Sequence, residues 1–231
     1  MAEFLWGSGG IVVVAIDGPG GVGKSTVSRA VAERLDLPYL DTGSTYRAAT
    51  FAVLSDGVDV NDQEAILGTL SRHRIDYDER GILLDGSPIA SDVRSAEVTS
   101  AVSAVSAHPA VRAEVVELQR DWVARNNGSA VVEGRDIGTV VFPSAPVKVF
   151  LTARPEIRAA RRAGDAEVAG ASVTDIARDL QRRDSADAGR AASPMRPAED
   201  ATIIDTSDLD VEGVVAVILD LVEAARSDAQ E

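Results

Sequence analysis

Cysteine is absent from this 231-residue chain, which excludes a disulfide framework and any thiolate metal site. Lysine is almost absent: Lys24 and Lys148 are the only two among 23 basic residues, and all the others are arginine. Aromatic residues make up 4% of the chain, so the core is expected to be built mostly from Val, Leu, Ile and Ala. Histidine occurs at His73 and His108 only, and neither sits in a pattern that points to catalysis; His108 precedes Pro109 and reads as a helix-boundary residue. No run approaches the roughly 18 apolar residues of a membrane span. Residues 1–10 lack a basic n-region and a long apolar stretch, so no signal peptide is expected there, and they read as a flexible leader. The acidic tail, residues 227–231, is expected to fray. Positive charge is in deficit: 37 acidic residues against 23 basic ones leave a formal charge of −14. Such a balance argues against polynucleotides and anionic membranes as partners, yet leaves room for a local basic cleft that takes a small anion. The absence of cysteine suits a reducing, cytoplasmic setting, and the 45% apolar content is that of an ordinary globular domain.

Against these absences one motif stands out. Gly18, Pro19, Gly20, Gly21, Val22, Gly23, Lys24 and Ser25 spell G-x-x-x-x-G-K-S, the phosphate-binding loop pattern. Residues 11–16 (IVVVAI) precede it as a buried strand, and 26–35 follow as a helix with Val27, Ala30, Val31 and Leu35 on one face. This is the strand–loop–helix context the chemistry requires. Glycines let successive N–H groups turn inward around phosphates, and the helix N-terminus adds partial positive charge at the same point. Lys24 is expected to reach the β/γ-phosphates and the Ser25 hydroxyl to sit on Mg²⁺. Asp17, just before the loop, is placed to hold a metal-bound water.

Strands and helices alternate at the two ends of the chain. Residues 38–43 read as a short strand ending in a functional loop, 44–54 as a helix, and 73–92 as a β-rich insert around the hairpin signal Asp85-Gly86. Residues 95–107 and 109–125 read as helices, the second with Val111, Val115, Leu118 and Trp122 on one face. Strands are expected at 129–133, 147–152 and 202–206. Helices are expected from Pro155, from the capping-box-like start at Ser172 and Asp175, and over the final segment, where Val211, Val214, Val215, Ile218, Leu219 and Val222 share a core face. Strands joined by helices imply a parallel sheet with its site at the strand C-terminal ends.

The loop by itself fixes a nucleotide and not an activity. A GTPase switch is expected to carry Asn-Lys-x-Asp, but the only other lysine, Lys148, is followed by Val149 and Phe150. A motor ATPase needs a strand ending in acidic residues, and Glu133 keeps that reading open. Eight arginines lie between Arg154 and Arg190, in a stretch with few large apolar residues. That composition suits a lid closing over transferring phosphates as well as it suits a solvated helix surface with ion pairs.

The ordered motifs are more specific. They are D-G-P-G-G-V-G-K-S-T over 17–26, L-D-T-G-S-T-Y-R over 40–47, V-R-S-A-E-V over 93–98, Ser103 with H-P-A-V-R over 108–112, V-E-G-R-D-I-G over 132–138 and R-D-S-A-D-A-G-R over 183–190. With them the chain resembles the bacterial cytidylate kinases, nucleoside-monophosphate kinases of the P-loop class, from Val12 to about Val222. The resemblance implies an α/β P-loop kinase: a parallel β-sheet core flanked by helices, a β-containing NMP-binding subdomain and a short helical lid. The expected boundaries are about 11–44, 127–155 and 195–226 for the core, 45–126 for the NMP-binding part and 156–190 for the lid. The implied reaction moves the γ-phosphoryl group of Mg·ATP to CMP or dCMP in a monomer.

By the resemblance, Arg47 and Arg135 hold the CMP phosphate and Arg190 arches over both phosphates; ion pairing to nearby Asp or Glu is the competing role. Ser103, Arg112 and Asp136 form the base site, where Ser103 could equally be a small residue on a packed helix. Asp187 and Arg183 match ribose-contacting positions, with a lid-surface salt bridge as the alternative. Asp41 and Thr42 join the acceptor set, and Arg158 and Arg162 the ATP set with Gly18 to Thr26. Lys24, Arg135 and Arg190 are the expected catalytic residues. The motif carries Ser185 and Ala186 where relatives often have another charge, which leaves the γ-phosphate arginines open. Trp122 and Tyr46 read as packing residues rather than base platforms. Another acceptor, or a nucleotide-dependent switch, are the alternative functions.

Overall fold

A computed structural model describes residues 12–164 and 172–228. The leader and part of the arginine-rich stretch, including Gly170, lie outside the described residues, as do Ile11 and the last three residues of the tail. The described chain divides into two compact units: residues up to Leu40 together with Asn126 onward, and Asp41–Arg125 between them.

The first unit is built on a five-stranded sheet. Its strands are β1 (Val13–Asp17), β2 (Tyr39–Asp41), β6 (Ala130–Glu133), β7 (Val147–Thr152) and β8 (Thr202–Asp205), in the order β2-β6-β1-β7-β8. The β1–β6, β1–β7 and β7–β8 pairs are parallel. All five residues of β1 are buried, as expected of a central parallel strand covered on both faces. Helices α1 (Lys24–Leu35) and α8 (Val211–Asp228) belong to this unit, and Val14, Ile16, Val31, Leu151, Val215 and Ile218 share its core. Each such fully buried aliphatic side chain is worth roughly 1.5–3 kcal/mol. Helices α6 (Pro155–Ala163) and α7 (Val173–Ala188) pack through Ala159, Ile176 and Leu180. Ser172 caps α7 by accepting the Asp175 N–H at 3.1 Å and donating its hydroxyl to the Asp175 carboxylate at 2.7 Å.

The second unit contains α2 (Thr42–Ser55), α3 (Gln63–Arg72), the antiparallel strands β3 (Ile75–Asp78), β4 (Gly81–Leu84) and β5 (Ser87–Pro88), α4 (Ala96–Val105) and α5 (Pro109–Arg125). Its own core joins Ala48, Ala52, Val53, Ile66, Ile82, Val105 and Val115. Asp85, at φ 51°, and Gly86, at φ 78°, form the two-residue turn between β4 and β5 that the sequence signals. Trp122 packs edge-on against Tyr77 with ring centroids 6.0 Å apart, and its Nε1–H donates to the Tyr77 carbonyl at 2.6 Å, in the packing role expected of it.

Three features differ from the sequence reading. No functional loop follows β2: the Asp41 carboxylate accepts the Ser44 N–H at 3.2 Å and caps α2, so strand passes directly into helix. Helix α3, absent from that reading, is started by Asp62, whose side chain accepts the Ala65 N–H at 3.0 Å. Finally, Ile137–Val141 forms a π-helical turn after β6, which no local apolar period announces.

Candidate active site

The glycine-rich segment leaves the C-terminal end of β1 and runs into α1. Gly18 has φ +142°, and a Cβ there would stand 2.2 Å from the Leu151 carbonyl oxygen, so only glycine fits between β1 and β7. A Cβ on Gly21, at φ +79°, would stand 2.8 Å from the Arg158 carbonyl oxygen. Helix α1 starts without a side-chain cap, which leaves its first N–H groups to a ligand.

Lys24 is buried, and its Nζ donates to the Pro19 carbonyl of its own loop at 2.7 Å. Burial pushes this ammonium down to about 7, and the charge of Arg135 adds to the effect; Glu133, Asp17 and Asp184 oppose it. The Ser25 hydroxyl donates to Glu133 at 2.7 Å. Glu133 also accepts the Tyr39 hydroxyl at 2.7 Å, and the Ser28 hydroxyl reaches its other oxygen at 3.5 Å. The carboxylate is 3% exposed and directly adjoins the residue expected to hold Mg²⁺.

Asp17 accepts two backbone N–H groups, from Ile137 on one oxygen and from Gly138 on the other, both at 2.8 Å. Burial raises its carboxyl to about 6 despite these two bonds. The role expected for Asp17 was to hold a metal-bound water; its observed contacts brace the turn that follows Arg135 and Asp136.

Three arginines expected in the site, Arg135, Arg158 and Arg190, are held by carboxylates of α7. Arg135 Nε donates to Asp187 at 3.1 Å, and Arg190 reaches the same carboxylate at 3.4 Å. Arg158 donates to the Gly20 carbonyl at 2.6 Å and pairs with Asp184. Arg183 pairs with Asp179 on its own helix at 2.8 Å, the surface pairing weighed for it from the sequence. Arg162 lies in the last turn of α6. Asp136 is buried, and its carbonyl accepts the Val140 N–H at 2.8 Å.

The remaining expected residues belong to the second unit. Arg47 donates to the Val93 carbonyl at 3.0 Å and the Thr99 hydroxyl at 2.8 Å. Arg112 is buried, lies 4.9 Å from the Tyr46 ring centroid and reaches the Ser106 carbonyl at 3.4 Å. Ser103 is exposed on α4. Thr42 is buried, and its carbonyl accepts the Thr45 hydroxyl at 2.7 Å; Gln119 on α5 donates in turn to Thr45 at 2.8 Å.

The family described as cytidylate kinase matches residues 14–224. The chain belongs to the cytidylate kinase family. It is therefore a phosphotransferase enzyme with a P-loop kinase core. A cytidylate kinase of Mycobacterium leprae is 51% identical over 215 residues, covering 92% of this chain and 96% of that protein. A cytidylate kinase of Streptomyces avermitilis is 48% identical over 220 residues, covering 94% of each. A solved structure of an uncharacterized protein from Eubacterium ventriosum shares the fold at 12% identity, with a TM-score of 0.53 over 92% of this chain and 98% of that one.

Sequence reasoning about this family member left two residues out of the site. Glu133 had a legible signal, an acidic residue closing a buried strand, but was weighed only for a motor ATPase. Arg161 is the other: it donates to the Val22 carbonyl at 3.3 Å and to Thr206 at 2.7 and 2.8 Å, tying the phosphate loop to the end of β8. Nothing in the spacing separates it from its arginine neighbours.

Proposed function

We propose that the protein transfers the γ-phosphoryl group of Mg·ATP to CMP and dCMP, giving ADP and CDP or dCDP. The observation that carries this reading is the phosphate loop of α1 with the Ser25–Glu133 contact beside it, together with family membership over nearly the whole chain. The acceptor is already an anionic phosphate oxygen, so the chemistry needs no general base. It needs fixed positive charge that holds two repelling anions in line. Arginine meets that need well, because its planar fork binds phosphate through two parallel bonds.

On this reading Gly18 to Thr26 cradle the ATP phosphates, and their charge draws a proton back onto Lys24. Arg158 and Arg162 attend the donor. Arg47 and Arg135 hold the CMP phosphate, and Arg190 spans both phosphates as they react. Asp41, Thr42, Arg183 and Asp187 position the acceptor's sugar and phosphate. Ser103, Arg112 and Asp136 read the base: a carboxylate accepts from cytosine N4 while Arg and Ser donate to N3 and O2. Uracil reverses two of those positions and would leave buried groups unpaired.

The hard oxygens of Ser25 and Glu133 suit Mg²⁺, which is ordinarily held by one or two protein ligands plus substrate phosphates. Bound there, Mg²⁺ would neutralise charge on the transferring phosphates. Asp17 is a further residue for its water shell. Movement of the 156–190 segment over the phosphates would exclude water that otherwise hydrolyses ATP. Among the described residues no helix is long and apolar enough to cross a membrane. The acidic charge of the chain supports action on free nucleotides rather than on polynucleotides, and a cytoplasmic monomer is the family expectation we carry into this reading.

The test is ADP release with Mg·ATP and CMP, dCMP, UMP, AMP or no acceptor. Strong release with CMP and dCMP and weak release with UMP and AMP is the expected result. Equal release without acceptor would mean an ATPase or a switch, and preference for another acceptor would displace the base-site residues.

A further inference from the structure

The phosphate loop already holds an anion of the chain itself. The Gly20 N–H donates to Asp184 Oδ1 at 3.3 Å, the Gly20 carbonyl accepts Arg158 Nε at 2.6 Å, and Arg158 Nη2 closes the ring on Asp184 Oδ2. Three elements distant in sequence meet in this ring: the loop, α6 and α7. It is not a loose surface pair, since the Arg158 and Asp184 side chains are only 12% and 16% exposed. Leu180, one turn before Asp184 on α7, packs so closely that a Cβ on Gly20 would lie 3.0 Å from its Cδ2. The Asp184 charge is also felt by Lys24, whose proton it helps retain.

A loop amide, a guanidinium and a neighbouring ammonium are the donors a phosphate oxygen would use. Here a carboxylate takes the first two and sits in the field of the third. One turn further along the same helix, Asp187 holds Arg135 and Arg190 in the same manner.

We propose that Asp184 is an internal stand-in for a donor phosphate, occupying the Gly20 amide and Arg158 until a polyphosphate displaces it. The proposal rests on the reading of Gly18 to Ser25 as the donor-phosphate site. Its physical basis is competition: bringing Arg158 and Lys24 together beside inward N–H groups stacks positive potential, and Asp184 offsets it. A ligand that needs the same donors binds only the fraction of molecules in which Asp184 has let go, so its apparent affinity is lowered by that fraction. Asp184 thereby sets donor affinity without touching the reacting atoms.

The test compares full-length wild type with Asp184→Asn, which keeps the shape and one acceptor but removes the charge. Asp179→Asn is the control: it removes an equal charge from the outer face of α7, where Asp179 pairs with Arg182 and Arg183. Calorimetric Kd values are measured for ATP and for inorganic tripolyphosphate, which has no base or sugar. Asp184→Asn is expected to tighten both by the same factor, about fivefold to tenfold, and Asp179→Asn by less than about twofold. Unchanged or weaker binding in Asp184→Asn overturns the proposal, as does an equal gain in the control, which would reduce the effect to net charge. Wild type that binds neither probe overturns the reading of the loop itself, and the proposal with it. Circular dichroism verifies folding; if the Asn variant is unfolded, Asp184→Ala carries the same comparison.

Discussion

Glu133 accepts the Ser25 hydroxyl at 2.7 Å across 108 residues of sequence, so the last residue of β6 orients the first turn of α1. A carboxylate 3% exposed is tolerated there because three hydroxyl groups face it, from Ser25, Tyr39 and Ser28. Replacing it should therefore act on the use of Mg²⁺ before it acts on the fold. Glu133→Gln is expected to lower kcat about 10- to 100-fold and to raise the Mg²⁺ concentration giving half-maximal rate. Titration of rate against Mg²⁺ checks this, and an unchanged midpoint would remove Glu133 from the metal-holding set.

Asp17 leads to a pH prediction of definite sign. Its carboxyl lies at about 6 in the folded protein, against an ordinary value of 3.8. The native state thus binds the proton more tightly than the unfolded chain, and stability from this group is lost as pH rises through that window. Urea denaturation of wild type and Asp17→Asn at pH 4.5 and 7.5 isolates the term. The wild-type advantage should shrink by about 2 kcal/mol between the two conditions. A pH-independent difference would show that Asp17 is not the titrating group.

His73 works in the same direction, at higher pH. Its Nδ1 meets Asp85 at 2.7 Å and its Nε2 meets Asp56 at 3.2 Å, tying the start of the hairpin region to the end of α2. The Asp85 and Asp56 carboxylates raise its pKa above 6.5, so this stability is fully present below 6.5 and is lost as pH climbs through the raised value. Melting temperatures of wild type and His73→Gln should converge between pH 6 and pH 9. A constant gap would show that the charged ring is not what binds the two carboxylates.

Base selection is tested at Asp136, which is 4% exposed. Asp136→Ala is expected to raise KM for CMP about 10- to 100-fold and to change KM for ATP by less than about twofold. Equal loss for both substrates would sink the base-recognition role.

The phosphate loop, the strand before it, the helix after it and most other elements were legible from local patterns. Backbone geometry at a site like Gly18 allows few residues, and a buried parallel strand such as β1 must be apolar throughout. Phosphoryl transfer was legible only through the family that the ordered motifs resemble, since composition suited a lid and a solvated surface equally. What only the tertiary structure decided is which charged groups meet. Asp17 braces a turn 120 residues away, and Asp184 reaches Gly20 across 164 residues. Among eight arginines of similar spacing, Arg158 and Arg161 touch the phosphate loop while Arg183 pairs within its own helix. The physical reason is that helical and strand periods encode which face is buried, whereas a long charged side chain chooses its partner from whatever the packed fold brings within about 3 Å.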